Sequence, residues 1–382
     1  MSDSPLLTPE DAAQPAARRK RWFAVAILVL VLALVVAGAG WWWLNSRQAI
    51  PDWERLPEIV LTAPAGDAFA EETPWVRLQF APAPPGEANT LRLSLEAPRG
   101  TLDPAASERI VALTAQPLDG SVDQAEALGL EPASGADGAL TASASLDHAG
   151  WWRFAVAVDG AAEPAQFHLL LPDPNVNGPN AVADVTSSTE AEEVFQRGLA
   201  ATAALQSVRY SEWIADGTGN SAVSEHTFVA GAGGEPHALE FRITGGMEIV
   251  IIGTTRWVRP PGVAEWQRQE GGALVPPSEW GEEYSGATEF TLLGEETIAG
   301  EPTQIVAFVA PELSEPRRRT VAWYVWWVGT ETGQVRREAM VSRRHYMFKQ
   351  FTDFNEPMQI LPPDEAGTPA ASTPIPEATP VP

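Results

Sequence analysis

The chain has 382 residues, with 50 acids against 25 bases, a formal net charge of −25 and no cysteine. That charge excludes a protein that holds nucleic acid by neutralising its phosphates. The missing cysteine excludes a disulfide framework, a thiolate metal site and a lipid anchor on an N-terminal cysteine. The 31 glycines and 34 prolines suit many short strands joined by turns.

Residues 1–17 are polar and rich in Ala and Pro, with no apolar period, and read as a disordered tail. Arg18, Arg19, Lys20 and Arg21 then precede an uncharged run over residues 22–44 (WFAVAILVLVLALVVAGAGWWWL). As a helix that run spans about 34 Å at about 1.5 Å per residue, enough for a hydrocarbon core of roughly 30 Å. The basic cluster on one side sets residues 1–21 in the cytoplasm, and Trp41, Trp42 and Trp43 supply the opposite aromatic belt. The expectation is a single-pass signal-anchor, with everything after residue 44 outside the membrane. A cleaved signal peptide ending at Ala37-Gly38-Ala39 is the competing reading, disfavoured because signal cores run only about 7–15 residues.

Residues 45–55 form a linker. From residue 56 to 174 the apolar residues recur with the strand period, as in Trp75–Phe80 and residues 90–95. Residues 110–113, 139–146, 152–158 and 166–171 continue the series, and Asp119-Gly120, Asp137-Gly138 and Asp159-Gly160 punctuate it. About seven short strands in this span predict an antiparallel β-sandwich of immunoglobulin-like type. The segment Gly150-Trp-Trp-Arg-Phe-Ala-Val-Ala-Val158, closing with Leu171-Pro-Asp-Pro-Asn-Val-Asn-Gly-Pro179, resembles the last two strands of the YtkA-like extracytoplasmic domain. That resemblance implies a module that accompanies copper-resistance permeases. His148 and His168 are the histidines of this region, and neither has a Met or Cys nearby.

Residues 175–186 read as a second linker. A helix follows over residues 190–205, with Thr189 and Glu192 as a capping box and Val194, Phe195, Gly198, Leu199, Thr202 and Leu205 as its apolar stripe. Strands are expected at 208–215, 239–244, 247–252, 256–259, 290–296, 303–309, 320–328, 335–343 and 346–351. Gly245-Gly246 forms a hairpin turn that needs positive φ. Residues 363–382 are Pro/Thr/Ala low complexity and read as disordered.

The opening helix runs into Leu205-Gln-Ser-Val-Arg-Tyr210. Glu248-Ile-Val-Ile-Ile-Gly253 with Trp257-Val-Arg259, residues 293–303, Trp327-Val-Gly-Thr-Glu-Thr-Gly333 and Phe351-Thr-Asp-Phe-Asn-Glu-Pro357 follow in order. In this combination residues 187–362 resemble the LolA/LppX-type lipoprotein carriers. The resemblance implies a curved antiparallel half-barrel around a covering helix, with an apolar face that holds lipid or a lipoprotein acyl chain.

The residues themselves offer one candidate groove. Residues 320–328 (TVAWYVWWV) carry no charge and are apolar on both faces, so both faces need cover. The helix covers one. The other is covered either by a ligand or by the preceding domain or a loop. The candidate lining is Phe241, Ile243 and Trp257 with Trp323 and Trp327, or with Tyr324 and Trp326 if the strand faces the other way. His345 and Met347, two apart with Met340 nearby, are too sparse for a metal site, and no metal or cofactor is expected. Arg317, Arg318 and Arg319 read as a solvated loop. No nucleophile elbow, zinc-protease motif or phosphate loop occurs, and a non-enzyme is expected. The sequence thus reads as a mainly β, membrane-anchored protein of the bacterial cell envelope that binds a hydrophobic ligand. A metal-homeostasis accessory and an envelope sensor or scaffold without a small ligand are the alternatives.

Overall fold

The computed structural model describes residues 54–363, apart from 84–86, 98–100, 103–105, 121–124, 134–137, 234 and 313–319. The expected span at 22–44, the two tails and Arg317, Arg318 and Arg319 lie outside the described residues. Among the described residues no helix is long and apolar enough to cross a membrane. The chain is mainly β.

The first ten strands are β1 (Ile59–Pro64), β2 (Trp75–Phe80), β3 (Ala88–Ala97), β4 (Thr101–Leu102), β5 (Ile110–Pro117), β6 (Glu126–Leu128), β7 (Leu130–Pro132), β8 (Leu140–Ser145), β9 (Gly150–Val158) and β10 (Ala165–Leu171). They build one sheet in the order β1-β2-β3-β8-β7, with β4 on β3, and a second in the order β10-β9-β5-β6. Alternation decides the inner faces: Val76, Leu78 and Phe80 are buried while Trp75, Arg77 and Gln79 are half-buried. Phe80 meets Phe154 of the other sheet at 5.9 Å.

A helix, α1 (Thr189–Ala203), opens the second half. Its cap is Ser188, whose Oγ accepts the Ala191 amide at 3.0 Å, so the boundary expected at Thr189 moves by one residue. The expected capping box fails for that reason, because Ala191 and not a glutamate occupies the third position. Ala191, Val194, Phe195 and Gly198 form its buried stripe.

The strands that follow are β11 (Ser207–Ala215), β12 (Ser221–Val229), β13 (Ala238–Ile243), β14 (Met247–Ile252), β15 (Thr255–Arg259), β16 (Gln267–Glu270), β17 (Thr288–Ile298), β18 (Glu301–Glu312), β19 (Thr320–Gly329), β20 (Val335–Ser342) and β21 (His345–Thr352). They form one antiparallel sheet of 11 strands, β16-β15-β14-β13-β12-β11-β21-β20-β19-β18-β17. The path ends at β16 and β17, so the sheet is open. The turn at Gly245-Gly246 has positive φ at both glycines, although Ile243 pairs with Met247 and the loop has three residues.

Strand β19 shows how the halves meet. Trp326 faces α1, 5.1 Å from Phe195. Trp327 faces the other way, 5.4 Å from His168 of β10, and its indole N–H donates to Glu296 at 2.9 Å. Both tryptophans are fully buried, worth up to about 4–6 kcal/mol each in apolar transfer. The preceding sandwich thus covers the second face of this uncharged strand. Trp213 of β11 joins the same contact, donating its indole N–H to the Thr62 carbonyl at 2.8 Å.

The boundary expected between the sandwich and the linker, around residues 173–175, is part of this junction. Asp173 and Asn175 are fully buried. Asp173 accepts the Tyr346 hydroxyl at 3.0 Å, and the Asn175 side chain bonds the Ser342 carbonyl at 2.9 Å and the Arg344 amide at 2.6 Å.

Candidate functional site

Residues directly opposite in a ladder share a face of the sheet, and the register therefore assigns every side chain on the α1 side. One row crosses β11, β12, β13, β14 and β15 as Tyr210, His226, Phe241, Ile249 and Val258. Phe351 of β21 precedes it, opposite Tyr210. A flanking row is Val208, Phe228, Leu239 and Ile251, and the other flank runs Glu212, Ser224, Ile243 and Met247. The helix packs on β17, β18, β19 and β20. Tyr210, His226, Phe241, Ile249 and Val258 consequently remain half-buried.

The rings in this row stack. Tyr210 and His226 lie 4.2 Å apart at 7°, and His226 and Phe241 5.1 Å apart at 14°. Burial between two rings, with a smaller contribution from the Lys349 charge, pushes the His226 imidazole down to about 4. It is a neutral, aromatic member of the face at physiological pH, held by Ser224 Oγ at 2.8 Å.

Tyr210 and Phe351 also line a cavity of about 130 Å³ under α1, together with Leu205, Trp280, Tyr284 and Trp326. Its polar end is built from buried groups. Glu338 is 3 % exposed and accepts the Tyr284 hydroxyl at 2.7 Å, the Trp326 indole N–H at 2.7 Å and the Lys349 ammonium at 3.3 Å. Lys349 also lies 3.6 Å from Glu212. Burial opposes the Lys349 charge, but Glu338 and Glu212 hold the ammonium above its ordinary value. Burial and the Glu338 charge raise the Tyr284 phenol well above its own.

The five residues expected to share a groove do not share a face. Phe241 and Ile243 lie on the α1 side. Trp257 sits opposite Val250 on the other side, with Arg268 above its ring at 5.9 Å. Trp323 and Trp327 also face away from α1, in phase with Val325 and against the alternation that turns Trp326 toward Phe195. Of the alternative pair, Trp326 lines the cavity. Met340 and Met347 pair across β20 and β21 within the core cluster under α1, and His345 is offset opposite Ser342. Among the described residues no three His, Cys, Asp or Glu side chains gather to hold a metal.

Sequence reasoning missed Lys349, Glu338 and Tyr284. A signal for Lys349 existed: Lys20 and Lys349 are the two lysines of the chain, and Lys349 stands in a strand.

No known protein family matches the sequence, and no curated protein matches it. Solved structures similar to it include the Mycobacterium tuberculosis lipoprotein LppX, 18% identical, covering 45% of this chain and 99% of that one at a TM-score of 0.35. LprF from Mycobacterium bovis is 12% identical over 46% of this chain and 98% of that one, with a TM-score of 0.37. A chain of the Pseudomonas aeruginosa MucA/MucB complex is 16% identical over 44% of this chain and 57% of that one, with a TM-score of 0.24. These likenesses are too distant to assign this chain to any of those proteins' roles.

Proposed function

We propose that this protein binds a hydrophobic ligand, a lipid or an acyl chain, on the α1 side of its large sheet, and that it does so without catalysing a reaction. The observation that carries the reading is the row Tyr210, His226, Phe241, Ile249 and Val258, which crosses five strands half-buried. At about 4.8 Å per strand the row is about 19 Å long, longer than the roughly 15 Å that one leaflet gives an acyl chain. It leads through Tyr210 to the 130 Å³ cavity under α1. In uptake of a monoacylglycerol carrying a fluorophore at its chain end, Phe241→Glu abolishes the signal with the fold retained, because the row must then desolvate a carboxylate. A wild-type protein that takes up no such probe at micromolar concentration overturns the reading.

The same proposal places the protein in a cell envelope, N-terminus inward, through residues 22–44. What supports this is the one-sided basic cluster before an uncharged run. A tag at Pro5 should be protected in intact cells and one at Pro376 accessible. An accessible N-terminal tag contradicts it. For the sandwich we propose an immunoglobulin-like relationship, supported by the order β2-β3-β8-β7 facing β10-β9-β5-β6, which follows the A-B-E-D over G-F-C pattern with β1 and β4 added to the first sheet and β6 to the second.

Two observations favour a second reading, a scaffold without a small ligand. The cavity under α1, about 130 Å³, is smaller than the roughly 300–1,000 Å³ typical of ligand pockets, and the sandwich already covers the second face of β19.

A further inference from the structure

The cavity beside Lys349 carries more acid than base. Its charged lining is Glu283, Glu338 and Lys349, and Glu212 adds a third carboxylate 3.6 Å from Lys349. One ammonium therefore stands among three carboxylates. Lys349 is engaged by Glu338 and Glu212, both on neighbouring strands of the sheet. Glu283 approaches from the opposite wall, on the short turn Gly281–Tyr284. Its side chain is exposed at the rim of the cavity, hydrogen-bonded to Tyr284 and without an ion-pair partner within 4 Å among the described residues. Partial desolvation and the Glu338 charge hold its carboxyl above the ordinary value, offset in part by the Lys349 ammonium, and a further cation beside it would favour its charged form.

The remaining walls suit an organic cation. Tyr210, Trp280, Tyr284, Trp326 and Phe351 surround the space, and aromatic rings attract ammonium groups, quaternary ones included. The volume, about 130 Å³, is close to the roughly 150 Å³ apolar cavity that admits a benzene molecule. It holds a head group of that size and not a chain. A free fatty acid would add a fourth carboxylate to the cluster.

We propose that this cavity receives the ammonium group of an amphiphile, with Glu283 as its counter-ion and the aromatic walls as its cage. The inference rests on the binding reading above only in taking the ammonium to be a head group whose tail lies along Tyr210, His226 and Phe241.

Isothermal titration of the full-length protein in non-ionic detergent with choline chloride tests it, against sodium chloride at equal ionic strength. Saturable heat with choline and none with sodium is expected. Glu283→Gln should weaken choline binding about tenfold, whereas Glu282→Gln, beside it on the exposed turn, should leave the affinity unchanged. Unchanged melting temperatures establish that both variants are folded. Absence of saturable choline binding, or equal affinity in the two variants, overturns the proposal. If choline fails while the monoacylglycerol probe is still taken up, the ammonium inference falls alone. If choline binds and the probe does not, the acyl-chain reading falls alone.

Discussion

Lys349 Nζ lies 3.3 Å from a carboxylate oxygen of Glu338, a residue 3 % exposed beneath the helix. This pair holds β21 to β20 on the face where the helix ends and the open aromatic row begins. Lys349→Met should destabilise the protein by about 2–4 kcal/mol, because it leaves a buried carboxylate without its cation. The loss stays within that range because Tyr284 and Trp326 still donate to Glu338. Urea unfolding checks this, and Lys349→Met combined with Glu338→Gln should recover part of the loss.

Asp173 makes the domain junction sensitive to pH. Burial raises its carboxyl to about 7, offset in part by hydrogen bonds from the Asn175 amide and the Tyr346 hydroxyl. The unfolded group titrates near 3.8, so between those values the folded state holds the proton and the unfolded state does not. Stability therefore falls as pH rises from about 4 to about 7, with a slope of at most about 1.4 kcal/mol per pH unit. Asp173→Asn should remove that slope in unfolding measured across this range.

His168 acts in the opposite sense. Burial, with Arg153 and Arg337 nearby, lowers its imidazole well below 6.5, and the ring stacks on Phe348 at 4.3 Å. The unfolded state takes up a proton below about pH 6.5 that the folded state refuses. This contribution to stability is lost as pH falls. His168→Phe should make the melting temperature less sensitive to acid, while Asp173→Asn should make it more so.

Gly198 sets how close the helix lies to the sheet. A Cβ there would sit 3.2 Å from the Trp326 ring and 3.2 Å from Val335 Cγ2. Gly198→Leu should cost about 1–3 kcal/mol by overpacking and shift the Trp326 environment, seen in the near-ultraviolet circular dichroism.

The sandwich and the large sheet should unfold together. Trp213, Trp327 and Phe348 are apolar surface that the large sheet alone would expose, and Arg153 of the sandwich pairs with Glu296 of the sheet at 2.7 Å. A single thermal transition by both fluorescence and far-ultraviolet circular dichroism is expected. Two resolved transitions contradict it.

Much of this architecture was legible because period and turn chemistry act locally. Trp75–Phe80 is marked by its alternation after Pro74, and Met247–Ile252 by Gly246 and Gly253 on either side. Strand β12 was missed because Ser221-Ala-Val-Ser-Glu-His-Thr-Phe-Val229 breaks the alternation, with Ser224 and His226 on the apolar side. The site was less legible. Which face of β19 meets the helix depends on register across β11, β21 and β20, information that no single strand carries. Trp257 belongs to the expected lining with Phe241, but a one-position phase difference sends it to the opposite face. The polar cluster of Glu338, Lys349, Glu212 and Tyr284 gathers residues far apart in the chain, and only the rarity of lysine hinted at it.

The most direct test is native mass spectrometry of the full-length protein purified gently from its own cells. A bound acyl-bearing species at one per chain is expected, lost in Phe241→Glu while the variant remains folded. A wild-type protein that flies only as the bare chain, with the row Tyr210, His226 and Phe241 unoccupied, would contradict it.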